Sequence, residues 1–598
     1  MLSKPVVVAA IAVAFIGVTL PAASRAAPEV VQFWLVDANT DVRLVELSDY
    51  QSLQLPVLPS GLSIEAVAND ETESVEMKIG VTVYSTENLA PYALGGDSEG
   101  NFVPVPALRT PGWITISARP HSADAAAGVA GASATLHLYI NQPNFFVTDT
   151  RDVSDANPGD GICSTPPRFS LTSGQSPILP QLSLIGSRFN GTVFQDDTIE
   201  NLIYRLRDDC TLRAAIEEAN ALPGAQSILI DGTRGTYALT KGRLTITSPM
   251  TLTGHELPLI DAQRTQPGVF YIDGGGDDII VNMQRLEIAG GYDTFERGGG
   301  LSIDNNAYVQ LSDSVIRDNE ANYGGGIYLQ NGADLHMWRT AVRNNKAGGD
   351  PESFGGGGVT QRGGGIFNLG GVVTIDDSAI FDNAAVRGGG LSNFGGTVHI
   401  NNTSIIDNRA ASIGGGIENR ANSGTQGNLH LSFVTVAYNQ AGVSTADPAN
   451  QRIGGGIYNT SWVYMANSIL ARNTDYFNML GVSDPNHAPD CYSPTLYNFK
   501  SFRYNTVGVL NAQCSFTDYS WGTTAWIDFG SATTPLNPLF SARSWWGELA
   551  YYNLLPTSPA LNNAATAGAS LFPCPDHDMR GKPRPVGAGC DRGAVERQ

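Results

Sequence analysis

An all-β chain, with a single-stranded parallel β-helix as its main body behind an antiparallel β-sandwich, is what three observations predict. Glycine triplets open similar units at residues 298, 324, 363, 388, 414 and 454, in steps of 25 or 26 with two longer steps of 39 and 40. Within the units short apolar runs alternate: Val373 and Ile375 flank Thr374, and Val398 and Ile400 flank His399. Period two marks a strand with one buried face, and a fixed period in the twenties interrupted by insertions marks a solenoid. Asparagines also return in register, at Asn319, Asn345, Asn383, Asn408, Asn439 and Asn473, and at Asn368, Asn393, Asn419 and Asn459.

The repeat is clearest where GGGIFNLGGVVTIDDSAIFDN (363–383) stands over GGGLSNFGGTVHINNTSIIDN (388–408). Ile366 lies over Leu391, Val373 over Val398, Ile375 over Ile400 and Ile380 over Ile405. Three short strands per unit, bent at Gly and Asn, make one coil. Roughly ten coils between Ser227 and Asn473, about 4.8 Å apart, would rise roughly 50 Å. The asparagines read as turn residues that pass amide hydrogen bonds from coil to coil. Asp376 and Asp377 read as turn residues too. The triplets read as a corner that every coil must pass, where a missing Cβ permits tight stacking. They are not a phosphate loop, because no helix follows them.

Before the repeats, short runs at Phe33–Val36, Leu53–Val57, Leu62–Ala66, Ile114–Ile116 and Leu136–Ile140 are separated by turn residues, which fits a sandwich of about 110 residues. Residues 1–27 read as a secretory signal, with Lys4, an apolar stretch from Val6 to Leu20 and small residues at Ser24 and Ala26. No later apolar run is long enough to span a bilayer. Leu212, Ala215, Ile216 and Ala219 share one face at helical spacing, so a short amphipathic helix is expected there. Six cysteines in an exported chain suggest disulfides, and their order invites Cys163–Cys210, Cys491–Cys514 and Cys574–Cys590. Zinc is disfavoured, because no close Cys-x-x-Cys or His cluster accompanies them. A formal charge of −21 argues against nucleic acid or an anionic membrane as the main partner.

The words carry resemblances as well. Leu35-Val-Asp-Ala-Asn-Thr-Asp41 and Thr86-Glu-Asn-Leu-Ala-Pro-Tyr-Ala-Leu94 resemble a small Ig-like module of secreted bacterial proteins, which implies attachment or glycan contact. Cys210-Thr-Leu-Arg-Ala-Ala-Ile216 resembles the opening of the CSLREA family of bacterial surface proteins, departing from its word at Thr211 and Ala214. That resemblance implies a right-handed β-helix whose first turn is capped by the short helix. A cap also suits the physics, since the end of a stack exposes strand edges and an apolar core. The GGGI-x-N and S-x-I-x-x-N words resemble the polymorphic outer-membrane proteins, although no C-terminal run of alternating barrel strands follows. Asp578-Met-Arg-Gly-Lys-Pro-Arg-Pro585 and Cys590-Asp-Arg-Gly-Ala-Val-Glu596 resemble the choice-of-anchor region that closes such helices. The expected organisation is therefore a signal peptide (1–27), a sandwich (28–143), an N-terminal cap (144–224), a β-helix (225–475) and a C-terminal cap region (476–598).

Chemistry is less legible. Asp318, Asp382 and Asp407 each precede a ladder asparagine, while Arg297, Arg362 and Arg387 each precede a glycine triplet. Both sets recur coil after coil at what reads as one turn, either as a solvated charged edge or as a lateral groove for a glycan. The insertions at 347–359 and 439–452 could wall such a groove or be tolerated bulges. A polygalacturonase-like or pectate-lyase-like site would need paired acids with His and Arg-x-Lys words, or calcium-binding acids near an arginine base, and those words are not in order. The run Asp149, Asp152, Asp155, Asn157 and Asp160 offers calcium ligands, but its spacing departs from that of an EF-hand loop and it reads as a polar turn. No resident cofactor is expected. The expectation is an exported, monomeric surface or extracellular protein, or a periplasmic one, that binds a polysaccharide or a host or cell-surface ligand. The alternative is a polysaccharide lyase or glycoside hydrolase acting in the same lateral groove.

Overall fold

A computed structural model describes residues 27–47, 51–55, 58–98, 101–141, 143–165, 210–265, 267–276, 278–330, 332–348, 361–442, 453–475, 489–494, 498–502, 504–518, 527–564 and 573–598. The expected signal peptide and most of both repeat insertions lie outside the described residues. The chain divides into two compact units at Gln142/Pro143.

The first unit is a sandwich. One sheet runs in the order Val42–Leu47, Val30–Asp37, Leu62–Ala68, Tyr92–Ala93, and the other in the order Gln51–Gln54, Ala134–Asn141, Gly112–Ala123, Ser74–Ile79, Thr82–Glu87. Alternate residues from both sheets meet in one core, with Leu35, Ile64, Met77, Ile116 and Leu138 fully buried. The departure from an all-antiparallel sandwich is Gln51–Gln54, which pairs in parallel with Ala134–Asn141.

The second unit is the parallel β-helix. Its strands stack into four parallel sheets, named here by their surroundings: a broad face of twelve strands, a covered face of eleven, a flank of nine and a short face of six. One coil passes through all four, as Ala307–Ser312 (broad), Val315–Arg317 (covered), Glu320–Tyr323 (short) and Ile327–Leu329 (flank) do in turn. The expected three strands per coil thus become four where the short face forms. Its strands, such as Ala384–Arg387, lack the period-two pattern that reveals the others. Val373, Ile375, Ile380, Val398, Ile400 and Ile405 all point inward and are fully buried, as their register required.

Corners are set by residues in the left-handed region. Each triplet enters with a positive φ, as at Gly363 (φ 66°) and Gly388 (φ 62°). A Cβ on Gly364 would lie 2.4 Å from the carbonyl oxygens of Ala384 and Gly389, so the second glycine is required by the closeness of the next coil. Both asparagine ladders form. In the longer one, each side-chain amide donates to the next Oδ1, at 3.1 Å from Asn319 to Asn345, 3.0 Å from Asn345 to Asn383, from Asn383 to Asn408 and from Asn408 to Asn439, and 2.9 Å from Asn439 to Asn473. Its second N–H turns back to a carbonyl of the preceding coil, as Asn383 Nδ2 does to Val342 O at 2.9 Å. The ladder ends on Asp490, whose Oδ1 accepts from Asn473 Nδ2 at 2.9 Å. Full burial pushes that carboxyl up to about 7.

At the N-terminal end, Phe145–Val147 extends the broad face, and the helix Leu212–Ala221 covers the first coil. Thr211, one of the departures from the family word, is its N-cap, with the hydroxyl accepting from Ala214 N at 3.2 Å. Cys163 and Cys210 are joined beside it, as are Cys491 with Cys514 and Cys574 with Cys590. Three disulfides fit an oxidising compartment. No described helix is long and apolar enough to cross a membrane.

The C-terminal end differs from expectation in two ways. Coils continue past residue 475: Cys491–Tyr492, Phe499–Ser501, Asn505–Val507, Phe516–Asp518 and Ile527–Phe529 all add to the parallel sheets. The segment after them then turns back along the helix and lies on its side, so it is a lateral cover and not an end cap. A hairpin of Phe540–Trp546 and Leu549–Leu554, with Met579, Ala594 and Val595, packs on Val315, Ala341, Ala379, Phe381, Ile406 and Ala437. These outward residues of the covered face are apolar, so that face has to be shielded from water.

Candidate functional site

The repeated acids and arginines occupy successive corners, not one shared turn. Asp318, Asp382 and Asp407 sit where the covered face meets the short face, each with positive φ. Arg297, Arg362 and Arg387 sit at the far end of the short strands, where the short face meets the flank. The two sets are not brought together.

Two of the acids, Asp382 and Asp407, serve the C-terminal hairpin. Arg543 donates to Asp382 through Nη2 at 2.5 Å and Nη1 at 3.0 Å, and through Nη1 to Asp407 Oδ2 at 3.2 Å. Its guanidinium lies 4.9 Å from the ring centroids of both Phe381 and Trp545. Tyr552 OH donates to Asp407 at 3.1 Å. Burial drives the Asp407 carboxyl up to about 6, although Arg543 and Tyr552 pull the other way. Asp318 is paired locally with Arg317, which also holds Glu287.

The arginines face a different surface. Their column reads Arg297, Tyr323, Arg362, Arg387 and Ile413, one residue per coil. From this corner the side chains reach across the outward residues of the flank. Arg297 donates to Tyr328 OH at 2.8 Å and lies 5.1 Å from that ring centroid. Arg362 donates to Glu418 Oε1 at 2.6 Å and lies 5.0 Å from the centroid of Phe394. Glu418, with no exposed surface, also accepts from Ser392 Oγ at 2.8 Å and lies 3.5 Å from Arg420. Earlier in the stack Arg243 lies 4.1 Å from the centroid of Tyr271, and later Tyr458 and Tyr492 stack at 5.6 Å. Arg387 is 9% exposed, Arg297 is exposed, and Arg420, Phe394, Tyr458 and Tyr492 are half-buried.

Tyr328 and Phe367 are buried, so the flank offers the half-buried rings of Tyr271, Phe394, Tyr458 and Tyr492 beside guanidinium donors, the combination that holds a sugar ring by stacking and an anionic group by paired hydrogen bonds. Sequence reasoning found its arginines and missed its rings. A signal was present: the residue after each GGG-Ile/Leu is turned away from the inward core, and these residues are Ser302, Tyr328, Phe367, Ser392, Glu418 and Tyr458. A second unread column stacks on the broad face, with His399 and His430 4.6 Å apart and Tyr464 4.6 Å further on. Burial, with His399 adding to it, lowers His430 to about 4, so both rings can stack without like charge between them.

The acidic run near the N-terminal cap is fully occupied by its own surroundings. Asp155 accepts from the backbone of Asn157 and Ser164, and Asp160 from Ile162. Burial opposes ionisation of Asp152, yet Arg213 and the N–H groups of Thr240 and Lys241 hold its carboxyl below the ordinary range. Among the described residues no group of three or more His, Cys, Asp or Glu side chains is placed to hold a metal ion. The chain matches no protein-family model, and no curated protein matches it, so what it does has to be argued from the flank itself.

Proposed function

We propose that this is an exported surface or extracellular protein of the CSLREA and polymorphic outer-membrane type, and that it binds an acidic glycan along the flank. The observation that supports this is the succession of arginines beside rings on one side of the coils, Arg243 on the half-buried Tyr271 and Arg362 on the half-buried Phe394, with the exposed Arg297 between them lying over the buried ring of Tyr328. Arg297 is the residue on which binding should depend most, because it is the exposed arginine of the column, with its guanidinium donating to Tyr328 OH and Gln330 Oε1. Adhesion to a coated surface would follow from such binding.

The test is titration of purified full-length protein with uronate-containing, sulfated and neutral polysaccharides, with each mixture also assayed for unsaturated and reducing ends. Binding to acidic members, weakened roughly tenfold or more in Arg297→Ala through loss of a charge-assisted hydrogen bond, supports the proposal. Binding that is indifferent to Arg297→Ala and Arg420→Ala sinks the flank as the site. Release of chain ends would replace simple binding with the lyase or hydrolase alternative.

A further inference from the structure

We infer that the tip of the C-terminal hairpin forms a second binding site, for a neutral saccharide, on the side of the β-helix that carries the lateral cover. Where the hairpin stops, Trp546, Gly547, Glu548 and Leu549 overhang Leu257, Asp313, Ser314, Val315 and Arg339, leaving a crevice of about 420 Å³. That lies within the roughly 300–1,000 Å³ of small-ligand sites.

The two tryptophans of the hairpin are divided in their work. Trp545, although 53% exposed, meets Phe381 edge to face at 5.4 Å and lies 4.9 Å from the Arg543 guanidinium, so its contacts anchor the hairpin and it does not line the crevice. Trp546 lines the crevice and is 41% exposed. A large ring left in water at the lip of a crevice, beside Leu257, Val315 and Leu549, is a platform for the apolar face of another ring.

Charge decides which ring. Arg339 pairs with Asp313 at 2.7 Å, and Glu548 pairs with Arg343 at 3.1 Å, so each charge at the crevice already has its opposite. A charged ligand would have to compete with one of these pairs. A polyhydroxylated neutral ring would not: its C–H face can lie on Trp546, while its hydroxyls accept from the guanidinium of Arg339 and donate to the carboxylates of Asp313 and Glu548. The acidic-glycan flank lies on a different sheet, so the two sites are separable by mutation.

The experiment is tryptophan-fluorescence titration of the full-length protein with hexaoses of glucose (α- and β-linked), xylose and N-acetylglucosamine at concentrations up to millimolar. At least one should give a saturable change that is weakened about tenfold or more in Trp546→Ala, partly restored in Trp546→Phe and unchanged in Arg297→Ala. Hydrogen exchange of the Phe540–Trp546 and Leu549–Leu554 amides shows whether the hairpin of the variant stays docked. A docked Trp546→Ala hairpin with wild-type affinity overturns the site, and so does the absence of any saturable change with all four sugars. Loss of binding in Arg297→Ala but not in Trp546→Ala would return the saccharide to the flank.

Discussion

Replacing Asn383 with alanine tests whether the asparagine ladder holds the coils together or merely decorates them. Asn383 makes four side-chain hydrogen bonds. Its Oδ1 accepts from Asn345 N and Asn345 Nδ2, both at 3.0 Å, and its Nδ2 donates to Val342 O at 2.9 Å and Asn408 Oδ1 at 3.0 Å. Asn345, Asn383 and Asn408 have no exposed surface, so water cannot simply take over. Alanine leaves two donors of Asn345 without partners, at about 1–3 kcal/mol each, and adds a small cavity. The expected local cost is about 3–5 kcal/mol, near the upper end for a single substitution. Because each coil contacts mainly its neighbours, the loss should concentrate in the coils that carry Asn345, Asn383 and Asn408.

The assay is native-state hydrogen exchange, comparing Asn383→Ala with Asn401→Ala in the next coil. Asn401 is exposed, and its one side-chain bond runs to Asp376 at 2.8 Å. It should change protection by less than about 0.5 kcal/mol. If Asn383→Ala costs under about 1 kcal/mol, or no more than Asn401→Ala, buried amide stacking is not what binds successive coils.

Three other outcomes are expected. Asp407 titrates near 6 in the folded chain against 3.8 as a free side chain, so its contribution is complete below pH 4 and lost as the pH rises through 6. The loss is at most about 3 kcal/mol, and Asp407→Asn should therefore slow proteolysis of the hairpin at pH 8 while leaving it unchanged at pH 4; faster cleavage at pH 8 would contradict the burial argument. Replacing Cys163 and Cys210 with serine opens a link spanning 47 residues and should cost up to about 4 kcal/mol, read as a lower midpoint for loss of the N-terminal coils in urea. Phe381→Ala removes a fully buried ring beneath Arg543 and Trp545, and should release the hairpin to exchange with a cost of about 3–5 kcal/mol while the inward ladder stays protected.

What the sequence made legible is what the coil period controls. Inward residues, glycine corners and both ladders follow from register, and register can be counted; the three disulfides follow instead from the order of the cysteines along an exported chain. Partners from outside the repeat cannot be counted. Asp382 meets Arg543 across 161 residues and Asp407 meets it across 136, so the acids looked like free groove residues when they are the docking points of the cover. A clue to that cover did exist: in Ala379-Ile380-Phe381 the outward Ala379 and Phe381 are apolar as well as the inward Ile380, and a strand apolar on both sides needs a second layer. The short face escaped notice because strands such as Ala384–Arg387, buried at every position, do not alternate.

The same register gives the arginines of the column different surroundings. Arg362 and Arg387 stand in adjacent coils, bridged backbone to backbone. Two guanidiniums kept at roughly 5 Å would repel by about 3 kcal/mol at an effective dielectric near 20. The stack relieves this by turning Arg362 onto the buried carboxylate of Glu418, which accounts for an acid with no exposed surface on an outward position. Arg297 is separated from that pair by Tyr323, and the carboxylate its charge acts on is that of the half-buried Asp304. On the proposed reading the exposed Arg297 is the arginine to test first, whereas removing Arg362 would leave the buried Glu418 with only Ser392 and the longer contact to Arg420, and would report on folding before it reported on binding.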